Sequence, residues 1–265
     1  MLVLHPAISK AMRLYRANGL EQAMLNAASV GLPGAIWGWE TTGRGYSAGS
    51  DAKGDLGSEA HISSDISFAF QQFWRATKDK TSLSAMAYPV VKNTARYWAA
   101  RATIDSNGQA HIRDIQPADE WHSHVNDSAF TNAGAIATLH FAADTAEMVG
   151  DTSAPVGSWR ALADKLVFIH NSSTGATAEY EGFDGGSLNE TGSACPVITP
   201  VSIKLGTPCI KQADTTLLQY PLGFKQPPGQ AERNLKYYAP RIDPHGTPVS
   251  TLRLKLFGRD ESIKF

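Results

Sequence analysis

Cysteine is scarce in this chain: two among 265 residues, Cys195 and Cys209. Neither stands in a C-x-x-C or comparable metal-ligand spacing, which argues against a structural zinc. They can close the Gly/Ser/Pro/Thr-rich stretch between them as one disulfide, or remain two thiols. Charge of one sign is also lacking. Twenty-four Lys+Arg against 25 Asp+Glu leave a net charge of −1 with no basic or acidic block, so nothing in the charge favours nucleic acid or an anionic membrane as partner. Apolar runs such as Ala85 to Val91 fall far short of the roughly 20 residues of a membrane helix. There is no G-x-G-x-x-G after a strand, Walker loop, H-E-x-x-H or G-x-S-x-G, and so no cue for a cofactor. His122 and His124, two apart, would not share a helix face, so no metal pair is expected.

What is present is enough apolar residue, 42% of the chain, to bury a sizeable core in one large domain or two small ones. The pattern is mostly helical. Leu4, Ile8, Met12 and Tyr15 recur at helical spacing, and so do Leu20, Ala23, Met24 and Ala27 after Asn18-Gly19. Residues 33–60 are glycine-rich without sustained period and read as a long loop. Ser63-Ser64-Asp65 offers N-caps for a helix with Ile66, Ala69, Phe70, Phe73 and Trp74 on one face. A further helix covers about residues 82–101, where Pro89 should kink or divide it. Alternation around Ser106-Asn107-Gly108 predicts a short β-hairpin. Helical period resumes over about 128–148, 158–169, 212–218 and 229–238.

Three segments concentrate polar chemistry in loops. Trp37-Gly38-Trp39-Glu40, with Glu59 and His61 following, offers indole faces for sugar C–H surfaces and a carboxylate for hydroxyls; a structural Trp pair is the plainer alternative. Asp119-Glu120-Trp121-His122 sets a carboxyl beside an indole, where desolvation can keep a proton available to a general acid; turn and cap roles are the alternative. Lys211-Gln212-Ala213-Asp214 gathers an ammonium and an amide before a helix that Asp214 can simply cap.

Asn126, Asn171 and Asn189 open N-x-Ser/Thr acceptors, which leans toward a secreted, vacuolar or cell-wall route. The first residues, Met1 to Pro6, show no charged region followed by an apolar stretch, hence no visible signal peptide. The two signals oppose each other, and the compartment stays open.

In order along the chain, these segments resemble glycoside hydrolase family 65. The matching stretches begin with His5-Pro6 through Tyr15-Arg16, Ala23 and Asn26-Ala27. Gly34-Ala35 with Trp39-Glu40 follows, then Glu59-x-His61 with Asp65-Ile66. Next come Pro117-Ala118-Asp119-Glu120-Trp121-His122, Val125-Asn126 and Phe130-Thr131-Asn132. Glu181 to Gly185, Lys211 to Asp214 and Asn234-Leu235-x-Tyr237-Tyr238-Ala239 complete the series. The family's Pro-Asp-Glu reads Pro-Ala-Asp-Glu here. The likeness is to the acid-trehalase-like branch, which includes kojibiose hydrolases and glucosidases of glucosylgalactosyl-hydroxylysine.

The resemblance implies a mainly α chain, part of an (α/α)6 barrel over residues 1–246 with long loops and a short hairpin, and an unmatched tail at 247–265. It implies inverting hydrolysis of an α-linked glucose disaccharide of the trehalose type, with no cofactor. Glu120 would be the general acid. Trp39, Glu40, Lys211 and Gln212 would bind the glucose, supported by Glu59, His61, Asp119 and His122. The general base would lie outside the chain, Glu261 being in the unmatched tail, so that this chain alone can be inactive. A partial barrel should also expose apolar surface along its edge helices. A family 65 phosphorylase, a non-catalytic sugar-binding remnant and a helical interaction scaffold are the alternatives.

Overall fold

The computed structural model describes residues 4–48, 58–185 and 210–242. Cys195, Cys209, Asn189 and the tail with Glu261 lie outside the described residues. The chain divides into two units, residues 1–112 with 131–167, and residues 113–130 with 168–265.

The first unit is helical. α1 (Pro6–Asn18) and α2 (Leu20–Ser29) meet at Gly19, as the break at Asn18-Gly19 implies. α1 opens with a proline in its first turn, where a missing N–H costs nothing. Ile8 and Met12 of α1, and Leu4 just before it, are exposed. α3 (His61–Thr77) packs against α1 and buries Ile66, Phe70 and Phe73 on one face. It starts ahead of the expected cap. Ser63 and Ser64 are buried inside its first turns, where the Ser63 hydroxyl accepts the Trp37 N–H at 3.3 Å rather than capping the helix.

The stretch expected at 82–101 is divided, as Pro89 predicts. α4 (Lys80–Ser82) leads through a π-helical turn (Leu83–Ala87) into α5 (Tyr88–Arg101). The Tyr88 N–H bonds to the Leu83 carbonyl, five residues back, and Pro89 falls within the first two positions of α5. The wider turn takes up the ring that an unbroken α-helix would exclude. β1 (Thr103–Ile104) and β2 (Ala110–His111) form the hairpin, Thr103 opposite His111.

α6 (Ala129–Val149) follows the expected span, with Leu139, Ala142, Ala143 and Ala146 fully buried. Gly134 of α6 lies so close to Ser64 that a side chain would have no room. α7 (Val156–Ala163) stops short of the expected residue 169. The segment after it pairs with the hairpin instead: Ala110 N–H donates to Lys165 at 2.8 Å and Val167 N–H to Ala110 at 3.2 Å. Those edge bonds outcompete another helical turn.

The second unit holds α8 (Asp214–Gln219) and α9 (Gln230–Tyr238), packed together. Its core is Ala178, Phe183, Ile210, Ala213, Tyr238 and Ile242. Asn234 and Tyr238, one helical turn apart on α9, both grip Thr177. The Asn234 side-chain Oδ1 accepts the Thr177 N–H at 2.8 Å, and the Tyr238 hydroxyl donates to the Thr177 carbonyl at 2.6 Å. This anchors the extended segment that carries Glu179.

Candidate active site

The loop between Ile115 and Val125 is pinched at its neck by two reciprocal backbone bonds, each 2.9 Å. Asp114, His124 and Asp127 take left-handed backbone around that neck, a conformation short polar residues tolerate better than branched ones. Inside the loop, Asp119 is the hub, and it is almost wholly buried. Its Oδ1 accepts the backbone N–H groups of Trp121 at 3.1 Å and Lys211 at 3.3 Å. Its Oδ2 lies 3.0 Å from His122 Nδ1, and its own N–H donates to Asp214 Oδ2 at 3.0 Å. His122 is buried against the rings of Tyr180 and Phe183.

With Asp119 fixed, the next side chain projects outward. Glu120 Oε2 receives Lys211 Nζ at 2.6 Å, and both side chains keep partial access to solvent, at 32% and 25% exposure. Gln212 donates its amide to the Ala118 carbonyl. A carboxyl, an ammonium and an amide thus stand together over a buried polar base, the donor set that hydroxyl-rich ligands require.

Below the loop lie two acids that sequence reasoning did not single out as site residues. Asp214 is the first residue of α8, and its Oδ2 receives the Asp119 N–H. Glu179, 2% exposed, touches the Thr215 hydroxyl at 3.4 Å. Burial, then the charges of Asp214 and Asp119, hold the Glu179 carboxyl well above the usual carboxylate range. Burial likewise raises the Tyr238 phenol, with Glu179 adding to the effect. Glu179 stands two residues before the quoted Glu181-Gly182-Phe183, and no local pattern signals its burial.

The remaining candidates belong to the first unit. Trp37 is core, 4% exposed, while Trp39 is 43% exposed, so the Trp pair splits into one structural and one surface indole. Arg16 of α1 holds the backbone carbonyls of Gly38 and Trp39 at 3.1 Å each, and the Tyr15 hydroxyl donates to the Thr41 carbonyl at 2.6 Å. Glu40 follows on the exposed side. Gly34, with a φ of +91°, packs its α-carbon against the backbone of Asn93 and Tyr97 in α5, which a Cβ would prevent. His61 opens α3 with Nδ1 at 2.9 Å from Asp65 one turn on, while Glu59 is half-buried before it. Among the described residues, no group of three His, Cys, Asp or Glu is arranged to hold a metal ion.

The sequence profile of the Glycosyl hydrolase family 65 central catalytic domain matches residues 1–253. The chain belongs to glycosyl hydrolase family 65. It is 33% identical over 251 residues to a kojibiose hydrolase of Flavobacterium johnsoniae, covering 95% of this chain and 33% of that protein. It is 30% identical over 250 residues to a protein-glucosylgalactosylhydroxylysine glucosidase of Danio rerio, covering 93% of this chain and 34% of the relative. A periplasmic acid trehalase of Saccharomyces cerevisiae is 30% identical over 257 residues, 94% of this chain and 19% of that one. The chain thus spans about a third of the length of the first two curated relatives. A solved structure described as a kojibiose phosphorylase from human microbiome superposes with a TM-score of 0.72 at 17% identity, over 90% of this chain and 34% of that one. That likeness shows the fold: a mainly α chain matching part of a family 65 helical barrel.

Proposed function

We propose that this chain carries the acid and sugar-holding groups of an inverting α-glucosidase acting on an α-linked glucose disaccharide of the trehalose or kojibiose type. In this reading, Glu120 protonates the glycosidic oxygen, while Lys211 and Gln212 hold hydroxyls of the non-reducing glucose. The observation that carries the reading is the Lys211–Glu120 contact at 2.6 Å over the buried Asp119 hub. It joins two loops that have no reason to meet except to share a ligand or a fold element. On sugar binding, hydroxyls would replace the carboxyl as partners of Lys211 and release Glu120 toward the leaving oxygen.

Inversion needs a second carboxylate about 6.5–9.5 Å from the acid, with access to water. Asp119, Asp214 and Glu179 are shut off from solvent and are unsuited to that task. We place the base outside them and outside the matched motifs. The buried state of these three acids also favours a second reading, a sugar-binding module without chemistry.

Incubation of the chain with trehalose and with kojibiose, with and without phosphate, separates the readings. Hydrolysis expects glucose, no glucose 1-phosphate, and a loss of at least about a hundredfold in Glu120→Gln. Turnover untouched by that change removes Glu120 from its role. Sugar bound but never cleaved fits both the binding module and a glucosidase chain without its base, and glucose 1-phosphate selects a phosphorylase.

A further inference from the structure

We infer that Glu179 is a positioning residue for Glu120, a neutral carboxyl beneath the acid loop whose ionisation would push Asp214 away from the Asp119 N–H. The inference rests on the acid role given to Glu120 above. Three carboxyl side chains, Asp119, Asp214 and Glu179, are buried side by side between the acid loop, α8 and the extended segment anchored on α9. Glu179 Oε1 accepts from the Thr215 hydroxyl at 3.4 Å, while Oε2 is closed to solvent and has no hydrogen-bond partner.

The titratable groups that face Glu179 are Asp214 of α8, Asp119 of the acid loop and Tyr238 of α9, with Tyr180 beside it on its own segment. His122 stands beyond Asp119, its Nδ1 on Asp119 Oδ2. Among the described residues, His122 is the group of this set that can carry positive charge, and its Nδ1 stands on Asp119. A third anion buried beside two others is disfavoured by desolvation and by like charge together. These causes hold the Glu179 carboxyl well above the usual carboxylate range and favour its neutral form.

The consequence for the site follows along one line of contacts. Thr215, the neighbour of Asp214 in sequence, holds Glu179, and Asp214 Oδ2 holds the Asp119 N–H at 3.0 Å. Asp119 in turn receives the N–H groups of Trp121 and Lys211, the residues that flank and face Glu120. Charging Glu179 repels Asp214 and Asp119 and loosens the platform under the acid.

Proton–nitrogen NMR spectra of the full chain, wild type and Glu179→Gln, recorded from pH 5 to 9, test this. The amides of Asp119, Trp121 and Lys211 should shift with pH in the wild type and stay level in the variant, where the side chain remains neutral. Carbon spectra of glutamate-labelled wild type read the Glu179 proton directly and do not depend on the variant folding. Trehalose or kojibiose affinity should fall at least about fivefold over the same range in the wild type only. A Glu179 carboxyl that titrates in the ordinary carboxylate range overturns the inference, as do amides that respond alike in both proteins. Failure of either sugar to bind would count against the glucosidase reading instead, and the spectra would still decide this one.

Discussion

Lys211 Nζ lies 2.6 Å from Glu120 Oε2, although 91 positions separate the two residues in the chain. Because both side chains are partly exposed, the pair contributes only about 0–1 kcal/mol to stability. Lys211→Ala should therefore melt within a few degrees of the wild type. As charged hydrogen bonds are worth about 1.5–3 kcal/mol, it should bind a glucosyl disaccharide about ten- to a hundredfold more weakly. Calorimetry and a thermal melt on the same samples separate the two effects.

Asp119 behaves oppositely. Two backbone N–H groups and the His122 ring converge on its buried carboxylate. Removing it leaves those donors without their acceptor, so Asp119→Ala should lose about 3 kcal/mol in urea unfolding. A loss below about 1 kcal/mol would mean that the loop does not depend on this hub.

The two indoles should separate by role. Trp37 is core, its indole N–H donating to Thr94 Oγ1 at 3.4 Å, and Trp37→Ala should cost about 3–5 kcal/mol of stability. Trp39→Ala, at an exposed indole, should leave the melt nearly unchanged. Equal destabilisation by both would return Trp39 to a structural role.

Gly34 sets a backbone test. Its φ of +91° and its closeness to the Asn93 and Tyr97 backbone leave no place for a methyl group. Gly34→Ala should therefore destabilise by at least about 2 kcal/mol, read as a lower urea midpoint.

Acid sensitivity has a definite sign at Asp79. Its carboxylate accepts the Ser82 hydroxyl and N–H and meets Lys10, and these bonds hold its pKa down to about 2, against an ordinary value of 3.8. A lowered folded value contributes stability above the ordinary value, and that contribution is lost as pH falls through about 2. Melting curves of the wild type should drop more steeply between pH 4 and 2 than those of Asp79→Asn. Parallel curves would show that the cap is not coupled to stability.

Helices were readable where one apolar face repeats, as with Ile66, Phe70 and Phe73. Their ends were less so, because distant partners set them. Ser63 turned from cap to acceptor once Trp37 came beside it, and the segment after Ala163 left the helix to pair with Ala110. That the Glu120 loop and Lys211-Gln212 would come together was legible through motif order. The burial of Asp214 and Glu179 beneath the acid loop was not legible. A carboxylate at a helix start reads as a cap, and nothing next to Glu179 in sequence records what closes over it.

The most direct test of the central claim is calorimetric titration of the chain with trehalose and kojibiose, comparing wild type, Glu120→Gln and Lys211→Ala. The account predicts that at least one disaccharide binds, that Glu120→Gln retains most of the affinity because its amide still hydrogen-bonds, and that Lys211→Ala loses about tenfold or more. Equal binding by wild type and Lys211→Ala, or none by the wild type, would contradict it.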